Sequence, residues 1–102
     1  MTTQFPEVKQ TKIVFRRYAP DATTVHLAGT FNDWSPEATA LEYEGAGEWV
    51  AWLMLRPGHY QYRFVVDGVW GHDPRAAQSA LNPYGGLDSL LTVEHEGRAD
   101  YC

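Results

Sequence analysis

Alternation of apolar and polar residues after Gly58 constrains the fold of this chain more than any other sequence feature. The residues predicted to face the core are Tyr60, Tyr62, Phe64 and Val66, and those predicted to face solvent are His59, Gln61, Arg63 and Val65. A period of two is typical of a strand with one buried face. Asp67-Gly68 follows, and both residue types tolerate the positive φ of a two-residue hairpin turn. The sequence therefore predicts a strand, a tight turn and a short return strand that carries Trp70.

The solvent-facing row of this hairpin predicts a binding surface. Arg63 belongs to that row, and Trp70 stands just across the turn from it. A guanidinium beside an indole on an open sheet face suits recognition of a ligand better than it suits a core. Trp34 lies in a loop whose Asn, Asp, Ser and Pro residues favour a tight turn. From the local sequence, Trp34 either caps the core or forms a second ligand platform.

Further strand signals are spread along the chain. Runs rich in β-branched and aromatic residues predict strands at residues 12–18, 24–29, 38–43, 48–55 and 89–95. In the first of these, the pairs Ile13/Phe15 and Val14/Tyr18 compete for the core face. Residues 75–88 are predicted to be a loop, because Asn-Pro and Gly-Gly dipeptides interrupt them.

Short strands with intervening turns, and the lack of a helical period, predict the fold class. We expect an all-β, immunoglobulin-like β-sandwich of about seven or eight antiparallel strands. The predicted domain covers residues 11–96, between a loose lead-in at 1–10 and a polar tail at 97–102. A chain of 102 residues has room for one core and one domain.

Charge and composition disfavour several classes of function. The net charge of −5 opposes binding to a polyanion, so we expect no nucleic-acid partner. Cys102 is the single cysteine and cannot form an internal disulfide. Neither a secretory leader nor a membrane-spanning apolar run is evident. The expectation is a cytoplasmic protein that does not enter a membrane.

The predicted strand at residues 48–55 is apolar on both faces. Trp49, Ala51, Leu53 and Leu55 are assigned to the core, which leaves Val50, Trp52 and Met54 pointing outward. An outward apolar row indicates a covered surface. The cover is either a second copy or another protein partner, or else the N-terminal segment around Phe5.

Three stretches together resemble carbohydrate-binding module family 48. They are Ala19-Pro20-Asp21-Ala22 with the following residues 25–34, Pro57 to Gly68 with Trp70 and Asp73-Pro74, and residues 82–89 (Asn-Pro-Tyr-Gly-Gly-Leu-Asp-Ser). The family includes the glycogen-binding domain of AMP-activated protein kinase β subunits and the N-terminal early-set domains of isoamylases and branching enzymes. The resemblance runs from about Val14 to Val93, in order and at compatible spacing.

The resemblance implies non-catalytic binding of α-1,4-linked glucan (glycogen, starch or maltooligosaccharides) by an early-set domain. The implied carbohydrate-binding residues are Trp34, Trp70, Arg63, Tyr84, Leu87 and Asp88. Indole faces suit the apolar C–H face of a pyranose ring, and a guanidinium can donate to its hydroxyls. Two positions depart from the family pattern: Arg63 replaces a lysine of the kinase subunits, and Asp88 replaces an asparagine. Asp88 can accept hydrogen bonds but cannot donate them as an amide does.

Other functions have less support in the sequence. A glycosidase needs two carboxylates facing across a cleft, but the acids here fall mostly at turns, where Asp67 and Asp73 are predicted to hold the hairpin. His26, His59, His72 and His95 are scattered, so we expect no metal site, no cofactor and no catalytic residue. The alternative function is a protein–protein interaction module with a vestigial glucan site.

Overall fold

The computed structural model describes residues 10–83 and 86–94, which form eight strands. They are β1 (Thr11–Tyr18), β2 (Val25–Gly29), β3 (Glu42–Gly45), β4 (Glu48–Leu55), β5 (Gly58–Val66), β6 (Val69–Gly71), β7 (Gln78–Leu81) and β8 (Leu87–Val93). A single 3-10 turn, Thr30–Asn32, is the only helical element in these residues. The predicted all-β, immunoglobulin-like sandwich is confirmed.

Two antiparallel sheets make up the sandwich. One has the strand order β1-β4-β3, and the other has the order β2-β5-β8-β7 with β6 also paired to β5. β5 is the centre of the second sheet, because its C-terminal half pairs with both β2 and β6 and its N-terminal half pairs with β8. Side chains of β5 therefore alternate between the core on one face of this sheet and the outer face.

The core lies between the two sheets, and its composition explains the strand pattern. Phe64 and Leu27 are fully buried on the second sheet, and Phe15 and Leu55 close the core from the first. The rings of Phe15 and Tyr62 meet edge to face at 5.1 Å, a favourable aromatic geometry. The core face of β1 is thus the Ile13/Phe15 face, which the sequence had left open.

The hairpin after β5 forms as predicted. Asp67 and Gly68 have φ values of 50° and 84°, the left-handed region that this turn requires. The Asp67 carboxylate also accepts hydrogen bonds from the backbone N–H groups of Thr23 and Thr24, both at 2.8 Å. Asp67 therefore fixes the entry to β2 as well as its own turn, in keeping with its predicted structural role.

Two predicted strand limits are wrong. The strand expected at 38–43 begins only at Glu42, because Ala40 makes no more than an isolated bridge to His26. The last strand begins at Leu87, two residues before its expected start, and ends at Val93, because Glu94 is described and is not part of it; His95 lies outside the described residues.

The prediction of a loop across residues 75–88 is also wrong, because the segment contains β7. Gln78–Leu81 pairs with Leu87–Leu90 of β8, so the Asn82-Pro83 interruption lies in the connection between two paired strands. The small and polar residues of β7 have little intrinsic strand preference. Pairing with the free edge of β8 stabilises this strand.

Val65 was expected in solvent but is 4% exposed. It lies on the outer face of β5, where its direct cross-strand neighbours are His26 on one side and Trp70 on the other. Side chains opposite one another in an antiparallel pair lie close together. Flanking by an imidazole and an indole accounts for the burial of Val65 on the outer face of the sheet.

Candidate functional site

A depression of about 330 Å³ lies on the outer face of the second sheet. We call it the tryptophan depression; its lining residues are Trp34, Gln61, Arg63, Trp70, Asn82, Pro83 and Asp88. Of the six implied carbohydrate-binding residues, four therefore meet in one place. Leu87 is exposed at the start of β8 but is not among these lining residues, and Tyr84 lies outside the described residues.

Trp34 is positioned by a rigid loop rather than by the core. The side chain of Asn32 accepts a hydrogen bond from Gly29 N at 3.0 Å and donates one to Leu27 O at 2.8 Å. Phe31 anchors the same loop by packing against the core. Trp34 itself is outside the set of residues that pack on the core cluster, which disfavours a core-capping role.

The backbone at Trp34 is strained. Asp33 and Trp34 have φ values of 57° and 58°, so two successive non-glycine residues adopt the left-handed conformation. This conformation is rare for a bulky side chain and costs on the order of 1 kcal/mol for each residue. A hydrogen bond from Trp34 N to Gly29 O at 2.8 Å holds the turn. Strain of this kind is concentrated at binding and catalytic sites.

Trp70 enters the depression from β6, the short strand after the hairpin. It lies opposite Val65, and its ring centroid is 5.9 Å from the guanidinium carbon of Arg63. That distance is at the outer limit of a cation–π contact. The indole is 37% exposed, which leaves part of its surface available to a ligand.

Arg63 is held on the floor of the depression by charge and by a glycine. Its Nε lies 3.9 Å from Asp88 Oδ1, an ion-pair distance that is too long for a hydrogen bond. A Cβ added at Gly86 would come within 3.3 Å of the guanidinium, so glycine permits this close approach. Within the described parts of the chain, the guanidinium donates no hydrogen bond. Its donors are therefore not committed to those residues.

Asp88 is buried at the floor of the depression, with 5% of its surface exposed. Its Oδ1 accepts a hydrogen bond from Asn82 Nδ2 at 3.1 Å, and Asn82 Oδ1 accepts one from Gly86 N at 3.0 Å. The carboxylate thus links the closing loop to Arg63. The amide that the family carries here could accept the bond from Asn82 but would leave the guanidinium without a counter-charge.

Sequence reasoning missed Gln61, Asn82 and Pro83 as lining residues. Gln61 could have been included, because it stands two residues before Arg63 on the same strand face. Asn82 and Pro83 were interpreted as loop breakers and as the start of the motif at residues 82–89, but not as residues of the site. Their position at the site follows from the pairing of β7 with β8, which brings Asn82 against Asp88.

Other kinds of site have no support in the described residues. In residues 10–83 and 86–94, no group of three or more His, Cys, Asp or Glu residues could hold a metal ion. The same residues include no helix that is long and apolar enough to cross a membrane.

Comparison with known proteins gives one family. The family model described as the glycogen recognition site of AMP-activated protein kinase matches residues 11–99. The chain is 40% identical over 78 residues to 5'-AMP-activated protein kinase subunit beta-1 of Sus scrofa, and 35% identical over 78 residues to subunit beta-2 of Homo sapiens. Each match covers 76% of this chain, but only 61% and 28% of those two subunits.

Two further likenesses lie outside the kinase subunits. The chain is 33% identical over 86 residues to Protein FLOURY ENDOSPERM 6, chloroplastic, of Oryza sativa subsp. japonica, covering 84% of this chain and 16% of that protein. The crystal structure of maltogenic amylase from S. marinus superposes with a TM-score of 0.69 at 21% identity, over 86% of this chain and 15% of that one. The second likeness shows a shared fold.

Proposed function

The chain belongs to the family of the glycogen recognition site of AMP-activated protein kinase, and we propose on that premise that it binds α-1,4-linked glucan without hydrolysing it. The observation that supports this most is the meeting of Trp34 and Trp70 in one depression with Arg63 on its floor. Trp34 comes from a loop that is distant in sequence, whereas Arg63 and Trp70 come from the two arms of one hairpin. The domain at residues 11–96 would bind glycogen, starch or maltooligosaccharides.

In the proposed binding mode, each sugar makes two kinds of contact, stacking on an indole and hydrogen bonding through its hydroxyls. Each pyranose places its apolar C–H face on an indole, which removes apolar surface from water. Its hydroxyls then meet the Arg63 guanidinium, the Gln61 amide and the Asp88 carboxylate. Arg63 only donates and Asp88 only accepts, whereas Gln61 does both, so the three match hydroxyls in either role.

Binding without hydrolysis is supported by the arrangement of acids. Glycoside hydrolysis uses a pair of carboxyl groups placed on either side of the scissile bond. Among the described residues that line the tryptophan depression, Asp88 is the only carboxylate, and it is engaged by Asn82. We therefore assign Asp88 to ligand positioning rather than to acid–base chemistry.

Affinity electrophoresis in native gels tests this function. Glycogen in the gel should retard the protein, and maltoheptaose should bind with a dissociation constant on the order of 10 μM to 1 mM. Because the glucan is neutral, affinity should change little between low and moderate salt. Incubation with maltoheptaose should release no reducing ends. Unretarded migration would refute glucan binding, and cleavage by the purified domain would refute its non-catalytic nature.

A second function is favoured by the outer face of the first sheet. There Trp52, Met54 and Val14 are 56%, 44% and 48% exposed and adjacent across β1 and β4. Val50 is only partly exposed, because the Arg16–Glu44 ion pair at 2.6 Å joins β1 to β3 across β4. We propose that this apolar face packs against the same face of a second copy. The other expected cover, the N-terminal segment around Phe5, lies outside the described residues.

Charge supports a second copy as the occupant. On this face, basic Arg16 stands on β1 and acidic Glu42 stands on β3, both opposite Val50 of β4. A two-fold axis parallel to β4 would set β1 of one copy over β3 of the other. Because Arg16 and Glu42 both lie level with Val50, Arg16 of one copy would then face Glu42 of the other, and the two Trp52 side chains would meet near the axis.

Trp52→Glu should abolish this association while sparing the fold. The substitution puts a carboxylate at the centre of the apolar face, where self-association would bring two like charges together. Sedimentation velocity over a range of concentrations should show dimer for the wild type and monomer for the variant. Leu81→Glu, at an exposed position of β7 in the other sheet, serves as a matched control. A wild type that sediments as a monomer throughout this range would refute the dimer.

A further inference from the structure

We propose that the glucan track continues beyond the tryptophan depression into a second depression, which binds further glucose units of the same chain. This inference rests on the proposed function. The second depression has a volume of about 520 Å³ and is lined by His59, Gln61, Gln78, Leu90 and Thr92 together with Thr30, Tyr60 and Leu91. Gln61 lines both depressions, so the two are contiguous at this residue.

Strand geometry places the two depressions in line. Arg63, Gln61 and His59 alternate along β5 and share its outer face. Each two-residue step advances about 6.8 Å, so the row extends roughly 14 Å from Arg63 to His59. A glucan chain that leaves the tryptophans along β5 would therefore pass over Gln61 and reach His59.

The neighbouring strands widen this row into a surface. Gln61 pairs with Leu90 of β8, and Leu90 pairs in turn with Gln78 of β7. Opposed residues in antiparallel strands project from the same face. The amides of Gln61 and Gln78 thus stand on either side of an apolar leucine. A polar border around an apolar floor suits a sugar ring, which has hydroxyls at its edge and C–H groups on its face.

The side-chain chemistry favours a neutral polyhydroxylated ligand. The Gln61 and Gln78 amides both donate and accept hydrogen bonds, as hydroxyls do. His59 Nδ1 is 3.1 Å from Thr92 Oγ1, which orients the ring and leaves Nε2 as its second hydrogen-bonding atom. The described lining of this second depression contains neither an acid nor a Lys or Arg. It therefore offers no cation for a phosphate and no carboxylate for a basic peptide.

The second depression should contribute less per sugar than the first. Its aromatic side chain, Tyr60, already has other partners. The hydroxyl donates a hydrogen bond to Arg56 O at 2.7 Å, and the centroids of the Tyr60 and Phe31 rings lie 6.2 Å apart. Indole stacking is thus confined to the tryptophan depression, and the extension depends on hydrogen bonds to solvent-exposed side chains. Such contacts are individually weak. The extension should consequently appear as a dependence of affinity on chain length.

Isothermal titration with maltotriose and maltoheptaose tests the extension. The wild type should bind maltoheptaose more tightly than maltotriose. The double variant His59→Ala/Gln78→Ala should lose about 5- to 20-fold in maltoheptaose affinity, in keeping with two lost hydrogen-bonding side chains. Its maltotriose affinity should stay within about twofold of the wild type. Both positions are exposed, so the melting temperature should be unchanged.

His72→Ala is the matched control, since His72 is exposed and lines neither depression. If the double variant binds maltoheptaose like the wild type, or loses both ligands equally, the extension is wrong although glucan binding stands. If the wild type binds neither oligosaccharide, the proposed function itself is wrong and the extension falls with it.

Discussion

Trp70→Ala and Trp34→Ala should each weaken glucan binding by about 1–3 kcal/mol, roughly a 5- to 150-fold rise in dissociation constant. Each substitution removes an aromatic face from the tryptophan depression. The fold should survive both, because Trp34 is outside the core cluster and Trp70 stands on a short, exposed strand. Titration calorimetry with maltoheptaose gives the affinities, and thermal unfolding gives the stability of each variant.

The chain supplies a matched control for these two variants. Trp52 is also an exposed tryptophan, but it lies on the other sheet, away from the depression. Trp52→Ala should therefore leave maltoheptaose affinity unchanged. Retention of wild-type affinity by both Trp34→Ala and Trp70→Ala would place the glucan site elsewhere on the molecule.

Asp73→Ala should cost about 2–4 kcal/mol of folding stability, a large part of the 5–15 kcal/mol typical of a domain. The buried carboxylate of Asp73 accepts hydrogen bonds from Tyr62 Oη at 2.6 Å and from Arg75 N at 2.8 Å. Removing it leaves a buried tyrosine hydroxyl without that partner. The melting temperature should fall by roughly 10 °C or more. A change of less than about 0.5 kcal/mol would contradict the structural role of Asp73.

The tyrosine partner of Asp73 adds a pH signature to this prediction. Burial and the hydrogen bond to Asp73 raise the pKa of Tyr62 above its ordinary value. A raised pKa in the folded state contributes stability that is fully present below the unfolded pKa of about 10 and is lost as pH rises above it. Tyr62→Phe should lessen the loss of stability between about pH 10 and 11. An identical alkaline profile in the variant would contradict this assignment.

The local sequence predicted the structure correctly wherever the direction of a side chain depends only on the strand that carries it. The alternation in β5 correctly assigned Tyr62 and Phe64 to the core, and Asp67-Gly68 correctly marked its turn. In β4 the outward positions of Trp52 and Met54 followed from the same period of two. These predictions hold because backbone geometry sets the direction of each side chain, regardless of what lies opposite.

Sequence failed where an element depends on its neighbours. β7 forms by pairing with β8, and Val65 is buried because Trp70 and His26 flank it. The contact between Asn82 and Asp88 requires both strands in register. Resemblance to a family supplied Asp88 as a site residue but gave no indication that its carboxylate would be buried beside Arg63. By contrast, the proximity of Arg63 and Trp70 could be predicted from the sequence, because one hairpin brings the two residues together.

Because β5 is central in its sheet, the floor of the site should stay folded for as long as the core does. Proteins open locally, and edge strands with few partners exchange their amide protons sooner than central ones. β3 and β7 are sheet edges, whereas β5 pairs with β2, β6 and β8. Fraying of an edge would leave Arg63 and Gln61 in place on a protected strand. The floor of the site would then persist in partly opened forms and disappear only when the core itself unfolds.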